Sequence, residues 1–236
     1  MQFTFEPVGV VHSCFREKFG IPRQAGIVPD ATAVLEILPP FDRDEAFRGL
    51  EEFSHIWLTF VFHACMRELW KPTVRPPRLG GNRRIGVFAT RSDFRPNPIG
   101  LSAVALAGIT REGGKLLLRL GGVDLLDGTP VLDIKPYIPY ADAIPGAKGG
   151  FAAERPRDDI PVTFSPEALA VCREKATPAW PDPERLIRQM LQTDPRPAYY
   201  GKNPRKSAFG IRIFDVDVKW SFREGGIHVL SVEDVA

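Results

Sequence analysis

The stretch RLGGNRRIGVFATRSDFRPNPIGLS, from Arg78 to Ser102, decides how this chain of 236 residues is read. Its Gly80-Gly81-Asn82 turn leads into a short apolar strand, Ile85 to Ala89. After Thr90 comes a loop, Arg95-Pro96-Asn97-Pro98, whose prolines restrict it before folding and so lower the entropy lost on ordering. Five arginines lie in the stretch: Arg78, Arg83, Arg84, Arg91 and Arg95. A guanidinium keeps its charge and offers a planar fork of donors, so a strand feeding a stiff arginine-bearing loop suits an anionic ligand. An ordinary hairpin with a solvated basic face has the same composition, and the residues alone leave both readings open.

Around this stretch the first half of the chain reads as short strands between turns. Phe5–Ser13, Thr32–Leu38, His55–Phe62, Arg84–Ala89, Leu101–Thr110, Lys115–Val123 and Val131–Lys135 are the candidates. Leu116, Leu118 and Leu120 alternate with Leu117 and Arg119, and Arg111-Glu112-Gly113-Gly114 is a hairpin turn. Ala103, Ala105 and Ala107 put small side chains on one face, as the interior of a small barrel allows. One helix is expected, Asp44 to Phe53. About seven strands with little helix predict an antiparallel β-barrel over residues 1–145. The Gly, Ala and Pro surplus after Ile144 marks 146–160 as a linker or arm. A small α+β domain over 161–236 completes a mainly β protein. Ser165-Pro166-Glu167 and Asp182-Pro183-Glu184 are helix starts. The strands Ala208–Phe222 and Ile227–Ser231 follow.

Net charge is +2, unevenly placed. Arg67 to Arg95 holds eight Lys and Arg against two acids, and Arg185 to Arg223 holds nine against three, a balance of +6 each. Two such stretches suggest a polyanion footprint if folding brings them to one face. Cys14, Cys65 and Cys172 have no metal-ligand or disulfide spacing and read as buried hydrophobes, so no metal is expected. No leader pattern opens the chain and no apolar run approaches the ~20 residues of a membrane span, so a cytoplasmic protein without membrane partners is expected. Neither GxGxxG after a strand nor a P-loop occurs.

RPPRLGGNRRIGVFATRS and FRPNPIGLS resemble the signature of the TsaA-like, or TrmO, family. Phe19 to Gln24, Gly49 to His55, the run DLLDGTPVLDIKPYIPY from Asp124 to Tyr140, and Asp194 to Tyr199 match the same pattern in order. Asp93 departs from it, standing where the family has proline. The resemblance implies a barrel that binds S-adenosylmethionine at one rim and methylates N6 of a threonylcarbamoylated adenosine beside the tRNA anticodon. It also implies a homodimer.

The cofactor residues implied are Pro22, Arg23, Gln24, His63, Ala64, Arg91, Leu125, Asp127, Gly128, Thr129 and Pro130. On chemistry alone Pro22 to Gln24 is also a surface turn, His63 a structural histidine and Asp127 to Pro130 a hairpin loop. Arg91 suits a carboxylate clamp. Asp133, Lys135 and Tyr137 fall on one face of an extended strand, forming either an internal network or a pocket lining. Asp133, then His55, are the candidate bases for proton removal. The tRNA anticodon loop, a single strand read by stacking and phosphate contacts, is assigned to Arg84, Arg95, Asn97, Lys135, Tyr137, Arg196 and Tyr199. Two other classes fit less of the sequence: a non-catalytic module binding S-adenosylmethionine and RNA, and a barrel hydrolase of phosphate esters.

Overall fold

The computed structural model describes residues 1–67, 69–196, 208–223 and 225–235. Side-chain alternation organises the first half into β1 (Gly9–Ser13), β2 (Thr32–Ile37), the helical turn α1 (Asp44–Phe47) and β3 (His55–Val61). Next come β4 (Thr73–Val74), β5 (Ile85–Gly86), β6 (Ile99–Glu112), β7 (Lys115–Gly121) and β8 (Thr129–Pro136). Six of these strands close a barrel in the order β1-β2-β7-β6-β3-β8, every pair antiparallel. Leu35, Leu58, Leu118 and Val131 fill it at 0% exposure, each contributing about 1.5–3 kcal/mol relative to a solvated side chain. Gly100 is required on β6, because a Cβ there would meet the Phe60 ring at 2.3 Å.

Four expectations change. Arg84–Ala89 is not a barrel strand: pairing stops after Ile85–Gly86, which meets β4 in a separate hairpin, and Val87–Ala89 coils into a 3-10 turn. The alanines of β6 face outward, since Gly100, Ser102 and Val104 are the buried residues of that strand. The expected helix over Asp44 to Phe53 breaks after its first turn, where Gly49 takes φ +85°, and resumes only as a 3-10 turn over Leu50–Glu52. The first strand also starts later than expected, at Gly9, leaving Phe5 exposed.

After α2 (Pro139–Asp142), the second half contains β9 (Val162–Phe164), α3 (Pro166–Glu174), α4 (Pro183–Gln192), β10 (Phe209–Ile213), β11 (Val216–Arg223) and β12 (Gly226–Asp234). Both helix starts are capped as their sequences require. Ser165 Oγ accepts from the Ala168 N–H at 3.0 Å and Asp182 Oδ1 from the Arg185 N–H at 2.9 Å, worth ~1 kcal/mol apiece. The expected single strand Ala208–Phe222 is two, because the chain reverses at Phe214, with φ +50°. The sheet runs β10-β11-β12-β9, with β9 parallel to β12.

The two halves meet within the subunit. Phe15, just beyond β1, bridges Ile213, and the Phe214 N–H donates to the Cys14 carbonyl at 2.8 Å. Their buried side chains form one continuous cluster. Cys14, Cys65 and Cys172 are free and buried, and burial pushes the Cys14 thiol up to about 12 and that of Cys172 to about 11. No helix among the described residues is long and apolar enough to cross a membrane.

Candidate active site

Loops at one barrel rim, the arm following α2 and the corner after α4 enclose a cleft of about 2330 Å³. Four separate segments deliver side chains to it. Pro22, Arg23 and Gln24 come from the loop between β1 and β2. His63 and Ala64 form the 3-10 turn after β3, Arg91 follows the turn Val87–Ala89, and Leu125 and Thr129 come from the loop into β8. The Arg91 guanidinium donates to the Gln24 side-chain carbonyl, tying two of these segments together. Gly128 takes φ +76°, a left-handed conformation that favours glycine, beside the His63 ring.

Asp127, Gly128 and Pro130 are not among the residues that line the cleft. Asp127 accepts from the Ser13 N–H at 3.0 Å and pairs with Arg16, while Thr129 Oγ1 donates to the Leu126 carbonyl at 2.6 Å. These bonds fix the loop so that Leu125 and Thr129 hold their positions. Arg95 and Asn97 also line the cleft, and Arg95 donates to the Thr90 carbonyl at 3.3 Å. Arg84 stands on the β4–β5 hairpin, donating to Thr73 Oγ1 at 3.3 Å.

The remaining candidates do not come together there. Asp133 and Lys135 pair with each other on the outer wall of the barrel. A bulge opposite Thr59/Phe60 sets the register so that Val131 and Ile134 take the inward positions and Asp133 the outward one. His55 is outward on neighbouring β3, bonded to Ser54 Oγ at 2.9 Å, and Tyr137 packs on Trp57 at 5.6 Å. This subunit therefore brings neither Asp133 nor His55 to the cleft. Arg196 does line it, but its guanidinium is held by Asp194 at 2.7 and 2.8 Å and stacks on Phe222 at 3.8 Å. Tyr199 lies outside the described residues.

One cleft residue escaped sequence reasoning. Asp124 opens the loop into β8, and its Oδ1 is buried without a hydrogen-bond partner among the described residues. Burial holds its carboxyl above the ordinary range, against the opposing pull of Ser102, the backbone and Arg91. Its place in the run beginning DLLDGTP was visible, but nothing in that string marks one aspartate as buried. The arm was also missed: Phe151, Arg155 and Ile160 form part of the cleft wall.

Such a cleft on a closed barrel defines a class: a barrel-type protein with an arginine-lined cleft at its rim, and no doubly wound sheet among the described residues. Family models for the tRNA-methyltransferase O N-terminal domain and the TrmO C-terminal domain match residues 10–143 and 157–235. A tRNA (adenine(37)-N6)-methyltransferase of Escherichia coli is 44% identical over 98% of both chains. A putative S-adenosylmethionine-dependent methyltransferase of Pseudomonas aeruginosa is 49% identical over 98% of both. A crystal structure of TrmO from Pseudomonas aeruginosa superposes with a TM-score of 0.79 at 44% identity, covering 98% of each chain. The chain belongs to the tRNA-methyltransferase O family.

Proposed function

We propose that this protein transfers the methyl group of S-adenosylmethionine to N6 of the threonylcarbamoylated adenosine beside the tRNA anticodon, acting in the cytoplasm. The observation that carries this reading is the cleft itself. At about 2330 Å³ it exceeds the roughly 300–1,000 Å³ of a small-molecule site, leaving room for a cofactor and part of a macromolecule. The arginines on its rim without a carboxylate partner among the described residues, Arg23, Arg75, Arg78, Arg91 and Arg95, suit a polyanion. The relatives' names supply the methyl donor, the tRNA and the N6 position.

The residues present fit this cofactor. Arg91, oriented by Gln24, suits the carboxylate of the methionine moiety, and the orphaned oxygen of Asp124 suits its ammonium group. Pro22 to Gln24, His63, Ala64, Leu125 and Thr129 form the walls around them. When bound, the sulfonium supplies an electrophilic methyl group. The protein's contribution is to hold the adenosine nitrogen in line with that methyl. Arg95 and Asn97 are placed to hold the threonyl carboxylate. Because Asp133 and His55 lie outside the cleft of their own subunit, positioning carries the step: the N–C bond forms as the C–S bond breaks, S-adenosylhomocysteine leaves, and the N6 proton is released to water that reaches the cleft.

A homodimer completes the proposal. Its support is the outer face of β3 and β6, where Leu101 and Ile99 are 55% and 40% exposed on a sheet face that stays apolar through Ala103. The domain division at 145 and 161 belongs to the same reading.

Transfer of labelled methyl from S-adenosylmethionine into tRNA with and without the threonylcarbamoyl group tests the function. Label entering only the modified tRNA is expected. Equal labelling of both would remove the threonylcarbamoyl requirement. Tight binding of both partners without transfer would favour the non-catalytic module.

A further inference from the structure

The β4–β5 hairpin region carries aromatic rings that stay exposed among the described residues. Trp70 and Phe88 are 52% and 74% exposed, with ring centroids 6.4 Å apart. Met66 and Leu69, just ahead of Trp70 in the chain, are 67% and 82% exposed. Apolar groups clustered in water in this way mark a surface that meets something. Phe88 lines the cleft, so the pair lies at its mouth.

The charge around the rings identifies the partner's class. Lys71, Arg75, Arg78 and Arg83 have no acidic partner among the described residues, and Arg75 and Arg78 line the cleft beside Phe88. A second copy of this hairpin across a two-fold axis would set one positive stretch against another, which disfavours self-association here. Exposed rings among unpaired cations match the chemistry of single-stranded nucleic acid, where bases stack on aromatic faces while phosphates take the charge.

We propose that Trp70 and Phe88 form a stacking platform for an unpaired nucleobase of the RNA loop, next to the nucleotide that enters the cleft. The inference rests on the tRNA reading above and adds how the loop is gripped. Duplex RNA, with its bases stacked inside, has no free base to offer the platform.

Fluorescence anisotropy with a labelled anticodon stem-loop RNA, titrated with the full chain at several salt concentrations, tests it. Trp70→Ala and Phe88→Ala are each expected to weaken binding roughly five- to a hundred-fold, the range for one base–aromatic stack. The slope of affinity against salt should not change, since no charge is removed. Trp70→Phe, which keeps a ring, should recover most of the affinity. RNA should quench less of the tryptophan emission in that variant than in the wild type, because Trp180 and Trp220 are buried at 5% and 0% exposure and Trp57, which lines the cleft, is present in both. Equal affinity of wild type and both alanine variants would overturn the platform. So would a change in sedimentation without a change in RNA affinity, which would assign the rings to a second copy. A wild-type protein that binds no stem-loop at all would overturn the RNA reading itself.

Discussion

The basic residues of this chain fall into two stretches, Arg67 to Arg95 and Arg185 to Arg223, each with a surplus of +6. In the second, Arg185 pairs with Asp30, Arg188 with Glu184, Arg196 with Asp194, Arg212 with Asp217 and Lys219 with Glu233. In the first, no Lys or Arg makes a direct ion pair with a carboxylate among the described residues, although Arg91 lies near enough to Asp124 to feel its charge. Arg67 stacks on Phe94, Arg84 bonds Thr73, Arg91 bonds Gln24 and Arg95 a backbone carbonyl. Asp93, an acid within that stretch, instead accepts from the Cys65 thiol. Lys202, Arg205 and Lys206 lie outside the described residues, and Arg223 has no acidic partner among them. Among the described residues, equal charge in the sequence thus becomes mostly internal wiring in one region and an open anion surface in the other. A charge run points to a ligand only once its intramolecular partners are known.

The sharpest contrast comes from one arginine on each side. Arg196 is only 12% exposed and Asp194 34%, so Arg196→Met leaves a partly buried carboxylate without its partner. It should cost about 2–3 kcal/mol in a denaturant melt, less than a fully buried pair because Asp194 keeps contact with water. Arg91→Ala should leave the melt almost unchanged and weaken S-adenosylmethionine binding by about ten- to a hundred-fold in calorimetry, the scale expected for removing charge-assisted hydrogen bonds. A destabilised Arg91→Ala protein with normal cofactor affinity would reverse the two assignments.

Asp124 gives a smaller effect with a definite sign. Its folded-state value lies above the ordinary 3.8, so just above that pH the folded protein holds more protons than the unfolded chain. The stability owed to this group is therefore greatest at low pH and falls as pH rises through that window. Asp124→Asn should flatten this dependence and raise neutral-pH stability of the ligand-free protein by about 1 kcal/mol while weakening cofactor binding. A variant less stable at neutral pH would show that the carboxylate has a partner in solution.

Much of this was legible in the sequence, and the failures share a cause. The Leu116, Leu118, Leu120 alternation, the Gly113-Gly114 turn and the two helix caps depend on local chemistry, and all appear where expected. The convergence of Gln24, His63, Arg91 and Thr129 on one cleft came from family resemblance, since no local rule links four loops so far apart in the chain. Period two separates the faces of β6 but does not say which is inward, and size misled: the small alanines face out while Val104 faces in. Asp133 and Lys135 share a face as read, but an unforeseen bulge and the closure of the barrel make it the outer one. Burial of Asp124 depends on a cavity made by segments remote in sequence, which no motif spells.

The most direct test of the central claim compares two double variants in tRNA binding as salt is varied. Arg75→Gln with Arg78→Gln removes unpaired charge, and Arg212→Gln with Lys219→Gln removes paired charge. The account predicts that the first shallows the log–log salt slope by about 1.4, at roughly 0.7 for each single-strand phosphate no longer neutralised, and that the second leaves it unchanged. Equal slopes for both variants, or a change confined to the second, would contradict it.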